Sequence, residues 1–186
     1  FASSVAVLAA LEAASGKPVS ALTDFVAGHS LGEYSALAAA GTLEIQDAAH
    51  LLRLRGDSMQ KAVPVGAGAM AALLGADLEL ADAIVAESSD AGLVQIANDN
   101  APGQIVVSGS LAGVEKAMAV AKEKGVRRAL KLPVSAPFHC DLMAPAAQEM
   151  AAALATASMK DAAMPVICNI SASGETSASA LRQNLV

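Results

Sequence analysis

The residues Gly28-His29-Ser30-Leu31-Gly32 fit Gly-x-Ser-x-Gly, a pattern that sets a nucleophilic serine on a sharp turn between a strand and a helix. Five such residues are a weak signal by themselves, because glycine and serine are common. The flanks strengthen it. Asp24-Phe25-Val26-Ala27 reads as the end of a short buried strand, and Glu33-Tyr34-Ser35-Ala36-Leu37-Ala38-Ala39-Ala40 reads as a helix that Gly41 stops. Without a Cβ at Gly28 and Gly32 the backbone can turn tightly and pack the helix on the strand. Ser30 then stands at a helix N-terminus, where N–H groups and the helix dipole favour negative charge such as the oxyanion of acyl transfer. The competing reading is a glycine-rich turn with a capping serine.

A serine nucleophile needs a base. His29 adjoins Ser30, so the turn aims it away, and it suits a structural role in the elbow. His50 lies mid-helix beside Leu51 and reads as an ordinary helical residue. His139 follows a strand and is preceded by Pro137 and Phe138; proline stiffens the approach, which makes His139 the best base of the three. Arg55 follows Leu51, Leu52 and Leu54 and opens Arg55-Gly56-Asp57-Ser58-Met59-Gln60. A half-buried guanidinium suits bidentate recognition of a carboxylate. By spacing alone, a surface arginine paired with Asp57 or simply solvated is the better reading. No histidine has metal-ligand spacing to another and no Cys-x-x-Cys occurs, so no metal site is expected.

The elements that must position these residues follow from pattern. Helices are expected over 1–15, 31–40, 45–61, 78–88, 111–124, 143–158 and from 179 onward. Strands are expected over 25–27, 69–74, 93–97, 104–108, 127–134 and 165–169, with a turn over 98–103 and a loop over 171–176. From 69 to 134 the order is β-α-β-β-α-β, the ferredoxin-like arrangement. The expected fold is α/β: a hydrolase-like parallel-sheet body, residues 1–67 and 135–186, with an inserted ferredoxin-like subdomain over 68–134.

The 186 residues suffice for one domain or one domain with an insertion. The chain is 54% hydrophobic but only 2% aromatic, so its core must rest on Ala, Leu, Val, Ile and Met. A net charge of −6 argues against general nucleic-acid binding. No apolar run reaches bilayer length and the first residues lack a signal-peptide pattern, so no membrane association is expected. Cys140 and Cys168 make no disulfide framework and are expected to pack as small apolar groups in a reducing, cytoplasmic setting. The chain begins inside one helical pattern and ends inside another. It reads as a fragment, marginally stable or inactive without its missing segments.

The segment from Gly28 to Leu37 resembles the nucleophile motif of malonyl-CoA:acyl-carrier-protein transacylases, acyltransferases of fatty-acid and polyketide synthesis. The resemblance continues through Leu54-Arg55-Gly56-Asp57-Ser58-Met59-Gln60, Asn98-Asp99-Asn100-Ala101-Pro102-Gly103-Gln104 and Pro133-Val134-Ser135-Ala136-Pro137-Phe138-His139-Cys140, in the family's order and approximate spacing. It implies a Ser–His dyad, with Ser30 as the nucleophile that carries the acyl group and His139 as general base and acid. Arg55 would pair with the free carboxylate of malonate, the N–H of Leu31 would be one oxyanion donor, and Met59 would line the acyl pocket. Phe138 would crowd a methyl-branched acyl group, because related polyketide acyltransferases carry phenylalanine there when they select malonyl. The resemblance implies malonyl-CoA and acyl carrier protein as partners, with a coenzyme A thioester as substrate and no bound cofactor. Arg127 and Arg128, in a basic stretch with Lys122, Lys124 and Lys131, would help dock the acidic carrier protein; a solvated edge is the nearly equal alternative.

The family's N-terminal Gly-Gln-Gly-Ser-Gln-like segment, whose glutamine supplies a second oxyanion donor, has no counterpart here, nor has its late Gly-Pro-Gly-type loop. A further family glutamine falls by spacing just beyond Val186, so Gln183 is not cast in that role. Three other readings stand beside this one: a serine hydrolase or thioesterase of the α/β-hydrolase type, the acyltransferase domain of a polyketide synthase, and a non-catalytic domain that keeps the fold.

Overall fold

Short strands and alanine-rich helices make up most of the chain in the computed structural model, which describes residues 1–186. In chain order the helices are α1 (Ala2–Ser15), α2 (Leu31–Ala39), α3 (Ile45–Ala62), α4 (Leu78–Ser88), α5 (Leu111–Glu123), α6 (Ala144–Thr156) and α7 (Ala178–Asn184). The strands are β1 (Val26–Ala27), β2 (Gly68–Leu74), β3 (Val94–Ala101), β4 (Gln104–Ser110), β5 (Arg128–Lys131), β6 (Val166–Ile167) and β7 (Gly174–Glu175). Residues 1–56 with 148–186 form one unit, and residues 57–147 form another.

In the first unit, β1 lies parallel to β6, with Val26 opposite Val166 and Ala27 opposite Ile167. β7 pairs antiparallel on the far side of β6, giving the order β1-β6-β7. The expected loop over 171–176 therefore contains a strand. The parallel character of this body rests on one pair of strands, and the ladders at β1 and β6 are two residues long. Low aromatic content is met by packing: Tyr34 and Leu37 of α2, Leu43, Leu154 of α6, Val166 and Leu181 of α7 are all at most 2% exposed. Alanines at 36, 40 and 48 are buried among them and let the helices approach closely.

In the second unit the sheet order is β3-β4-β2-β5 with every pair antiparallel, the connectivity of a split β-α-β fold. Ala81 and Ile84 of α4 and Val114, Ala117 and Val120 of α5 bury themselves against Leu73, Ile105 and Val107 of the sheet. Asp77 and Ser110 cap α4 and α5 by accepting the Leu80 and Gly113 N–H groups. The expected turn over 98–103 narrows to Pro102-Gly103. β3 continues to Ala101 because two register shifts absorb the polar run, and Gly103 turns the chain at φ 76°. β5 is shorter than the expected 127–134. The Leu132 N–H still reaches the Met70 carbonyl at 2.8 Å, but Pro133 has no N–H with which to extend the ladder.

No helix is long and apolar enough to cross a membrane.

Candidate active site

Ser30 occupies the junction between β1 and α2 at φ 53° and ψ −107°. That conformation costs a non-glycine residue about 1–3 kcal/mol and persists only where surroundings enforce it. The turn is tight at Gly28: a Cβ there would run into the Gly32 carbonyl, so glycine is required by contact. A Cβ at Gly32 would meet nothing within 4 Å, so the expectation that a missing Cβ there permits the tight packing holds for Gly28 and not for Gly32. Two short backbone bonds close the turn, Gly32 N–H to the His29 carbonyl at 2.9 Å and Glu33 N–H to the Ser30 carbonyl at 3.1 Å. Although Ser30 takes the N-cap position, its side chain accepts no N–H from α2. The capping-serine alternative therefore does not describe it.

Ser30 Oγ instead accepts a hydrogen bond from Arg55 Nη2 at 3.1 Å. Arg55 is half-buried on α3, and its guanidinium carbon stands 5.9 Å from the centre of the Tyr34 ring, within cation–π range. It is thus a placed residue, not the solvated surface arginine that spacing alone favoured. A permanently charged guanidinium beside the hydroxyl favours an alkoxide there and could pair with a carboxylate next to that oxygen. Glu33 and Tyr34 complete the surroundings. Burial raises the Glu33 carboxyl above its ordinary value, while the Asn169 N–H and the Arg55 charge pull it down. Burial also raises the Tyr34 hydroxyl, with Arg55 opposing and Glu33 adding to the shift.

Asn169, which the sequence patterns did not single out, is the third component. Its Oδ1 accepts the Ser30 N–H at 2.5 Å, its Nδ2 donates to the Gly28 carbonyl at 2.7 Å, and its own N–H donates to Glu33 Oε1 at 3.2 Å. It lies two residues beyond β6, and β6 runs parallel to β1, so both strands deliver their following residues to the same sheet end. Leu31, at 44% exposure, opens α2 directly after the elbow, where first-turn N–H groups have no intrahelical acceptor. His29 and His50 are both exposed.

His139 belongs to the second unit and is held there by its own loop. Like Ser30 it has positive φ, 60°. Pro137 is buried against Gly68 so closely that a Cβ on Gly68 would overlap the proline ring. On the other side, Asp141 N–H donates to Gln95 Oε1 at 2.7 Å and Gln95 Nε2 donates to Asp141 Oδ2 at 2.8 Å. Cys140 Sγ donates to the Pro137 carbonyl at 3.2 Å, and Cys168 is buried in the first unit. Phe138 and Met59 share one apolar cluster with Val63, Ala136 and Met143. Arg128 begins β5 and Arg127 immediately precedes it, while two of their basic neighbours are paired, Lys124 with Glu87 at 2.5 Å and Lys131 with Glu115 at 3.3 Å. No group of three or more His, Cys, Asp or Glu side chains is placed to hold a metal ion.

The α/β body with its strained Ser30 turn is of the acyltransferase class. Residues 1–184 match the acyl transferase domain, and the chain belongs to that family. It is 51% identical over 164 residues to a malonyl CoA-acyl carrier protein transacylase of Bacillus subtilis, covering 88% of this chain and 52% of that protein. An acyl carrier protein S-malonyltransferase of Vibrio cholerae superposes with a TM-score of 0.92 at 41% identity, covering 98% of this chain and 58% of the other. The same TM-score, identity and coverage hold for a malonyl-transacylase solved in complex with its type II polyketide-synthase acyl-carrier protein. The chain spans about half the length of the curated relatives it matches.

Proposed function

We propose that the protein containing this chain transfers a malonyl group from malonyl-CoA to the phosphopantetheine thiol of an acyl carrier protein. The contact between Arg55 and Ser30 Oγ carries this reading: a fixed cation beside the nucleophile suits an acyl group that bears its own carboxylate. A site built for that carboxylate rejects acetyl, which would leave the guanidinium unpaired.

In the proposed reaction His139 accepts the Ser30 proton as Oγ attacks the thioester carbonyl. The Leu31 N–H receives the developing oxyanion, and coenzyme A leaves with the proton from His139. The carrier thiol then gives its proton to His139, and its sulfur attacks the malonyl ester. Carrier thioester forms, and Ser30 regains its proton. Membership of the family and the placement of each residue in its own unit support these roles. Met59 and Phe138 are assigned to the acyl pocket, with Phe138 disfavouring methyl branches. Residues 68–134 are assigned as the small subdomain, with Arg127 and Arg128 as a docking edge for the carrier protein. The setting is cytoplasmic fatty-acid synthesis, with a coenzyme A thioester as substrate and no bound cofactor. The neighbour solved with a polyketide-synthase carrier makes a polyketide carrier the specific second reading.

Intact mass spectrometry of the full-length protein after brief exposure to malonyl-CoA tests the proposal. A malonyl-sized adduct is expected, absent in Ser30→Ala, strongly reduced in Arg55→Ala, and outcompeting methylmalonyl-CoA unless Phe138 is replaced by Ser. A folded wild-type protein that forms no adduct overturns it.

A further inference from the structure

We infer that Asn169 is the positioning residue that holds the Ser30 elbow in its reactive conformation. The inference rests on Ser30 being the nucleophile. Ser30 sits at φ 53°, and no glycine relieves that position. One carboxamide spans the turn from outside, with Oδ1 on the Ser30 N–H and Nδ2 on the Gly28 carbonyl. The partners fix the orientation of the amide, because an N–H can only donate and a carbonyl can only accept. Asn169 is itself anchored through its N–H to Glu33 Oε1, one turn into the helix that Ser30 begins. Gly28, Ser30 and Glu33 are therefore tied to a single residue that lies 136 to 141 positions away in the chain.

The clamp also sorts the donors of the elbow. By accepting the Ser30 N–H, Asn169 withdraws that group from the reacting carbonyl and leaves the Leu31 N–H as the elbow's oxyanion donor. The carboxamide meets both demands at once because it carries one acceptor and one donor end. Aspartate has the same shape but would set a second acceptor against the Gly28 carbonyl until its carboxyl takes up a proton.

The test uses the full-length protein, with Asn169→Ala and Asn169→Asp beside wild type. Two rates are measured per competent site: labelling by a fluorophosphonate, which reports Ser30 reactivity with any electrophile, and single-turnover acylation by malonyl-CoA. Both rates should fall about 100-fold with KM for malonyl-CoA nearly unchanged, because the reacting oxygen is misdirected while substrate contacts remain. The Asn169→Asp rate, relative to wild type at each pH, should rise toward acid as the carboxyl becomes a donor to Gly28. Labelling rates per competent site within threefold of wild type, with no such pH trend, overturn the inference. If wild type labels with the fluorophosphonate but takes no malonyl group, the malonyl reading fails while the labelling arm still decides the role of Asn169.

Discussion

At the scale of single residues, Glu33 is the carboxyl whose titration the fold shifts. It is buried on the first turn of α2, accepts the Asn169 N–H, and faces Arg55 on α3, with Tyr34 beside it on its own helix. Burial holds its carboxyl above the ordinary 4.5 despite the favourable Arg55 charge. The native state thus binds this proton more tightly than the unfolded chain does. The stabilisation linked to it is full below 4.5 and is lost as pH rises through the elevated native value. Glu33→Gln keeps an acceptor for Asn169 and removes the titration. Thermal melts across this range should show a flatter dependence on pH for the variant, with stability at neutral pH equal to or above wild type. Parallel curves would rule Glu33 out as the source.

At the scale of elements, each proposed catalytic residue sits in a locked turn beyond a short strand, Ser30 three residues after β1 and His139 eight after β5. Gly28 against the Gly32 carbonyl locks the Ser30 turn, and Gly68 against Pro137 locks the start of the His139 loop. The reciprocal pair between Gln95 on β3 and Asp141 locks that loop's exit. Gln95→Ala removes the acceptor of the Asp141 N–H. Hydrogen exchange at Asp141 should then accelerate at least tenfold, while amides of β2 and β4 keep their protection. Gly68→Ala should destabilise the second unit by about 1–3 kcal/mol through overpacking at Pro137, read from denaturant melts. Both losses should slow acylation if His139 is the base. A Gln95→Ala protein with unchanged exchange at Asp141 would show that the loop is held by other contacts.

For the whole molecule, the two units have separate cores, one around Tyr34, Leu37 and Leu154 and one around Leu73, Ile84 and Val107. The proposed labour follows that division: the first carries the nucleophile and the arginine, and the second carries the base and the basic edge. In the second unit Lys124 and Lys131 are already paired with glutamates, so Arg127 and Arg128 are the sharper choice for a charge test. Arg127→Glu with Arg128→Glu in the full-length protein should slow transfer to an acidic carrier protein about tenfold or more. Acylation by malonyl-CoA should be spared. Equal loss of both half-reactions would count against docking at this edge.

The local features of the chain were legible in order. The glycine-flanked serine, the alanine helix after it, the Pro137-Phe138-His139 run and the β-α-β-β-α-β succession all lie within short windows, where periodicity and turn chemistry act. Strand ends were misplaced where tertiary pairing outweighed local signals, as in the continuation of β3 through Asn98, Asp99 and Asn100 and in β7 inside an expected loop. Arg55 looked like a surface residue by spacing because its partners, Ser30 and Tyr34, lie on another helix and its approach. Asn169 and Gln95 carried no motif, and Glu33, though inside the serine motif, was read only as a helix residue. Their importance comes from hydrogen bonds to residues 46 to 141 positions distant, which only the paired β1 and β6 and the folded second unit bring into reach. The amino-acid sequence by itself determined which residues could react and which segments would turn or coil, because those are short-range consequences of side-chain shape. Tertiary structure alone decided which polar groups enforce the strained serine and which cation meets it, because a hydrogen bond reads distance in space and not separation along the chain.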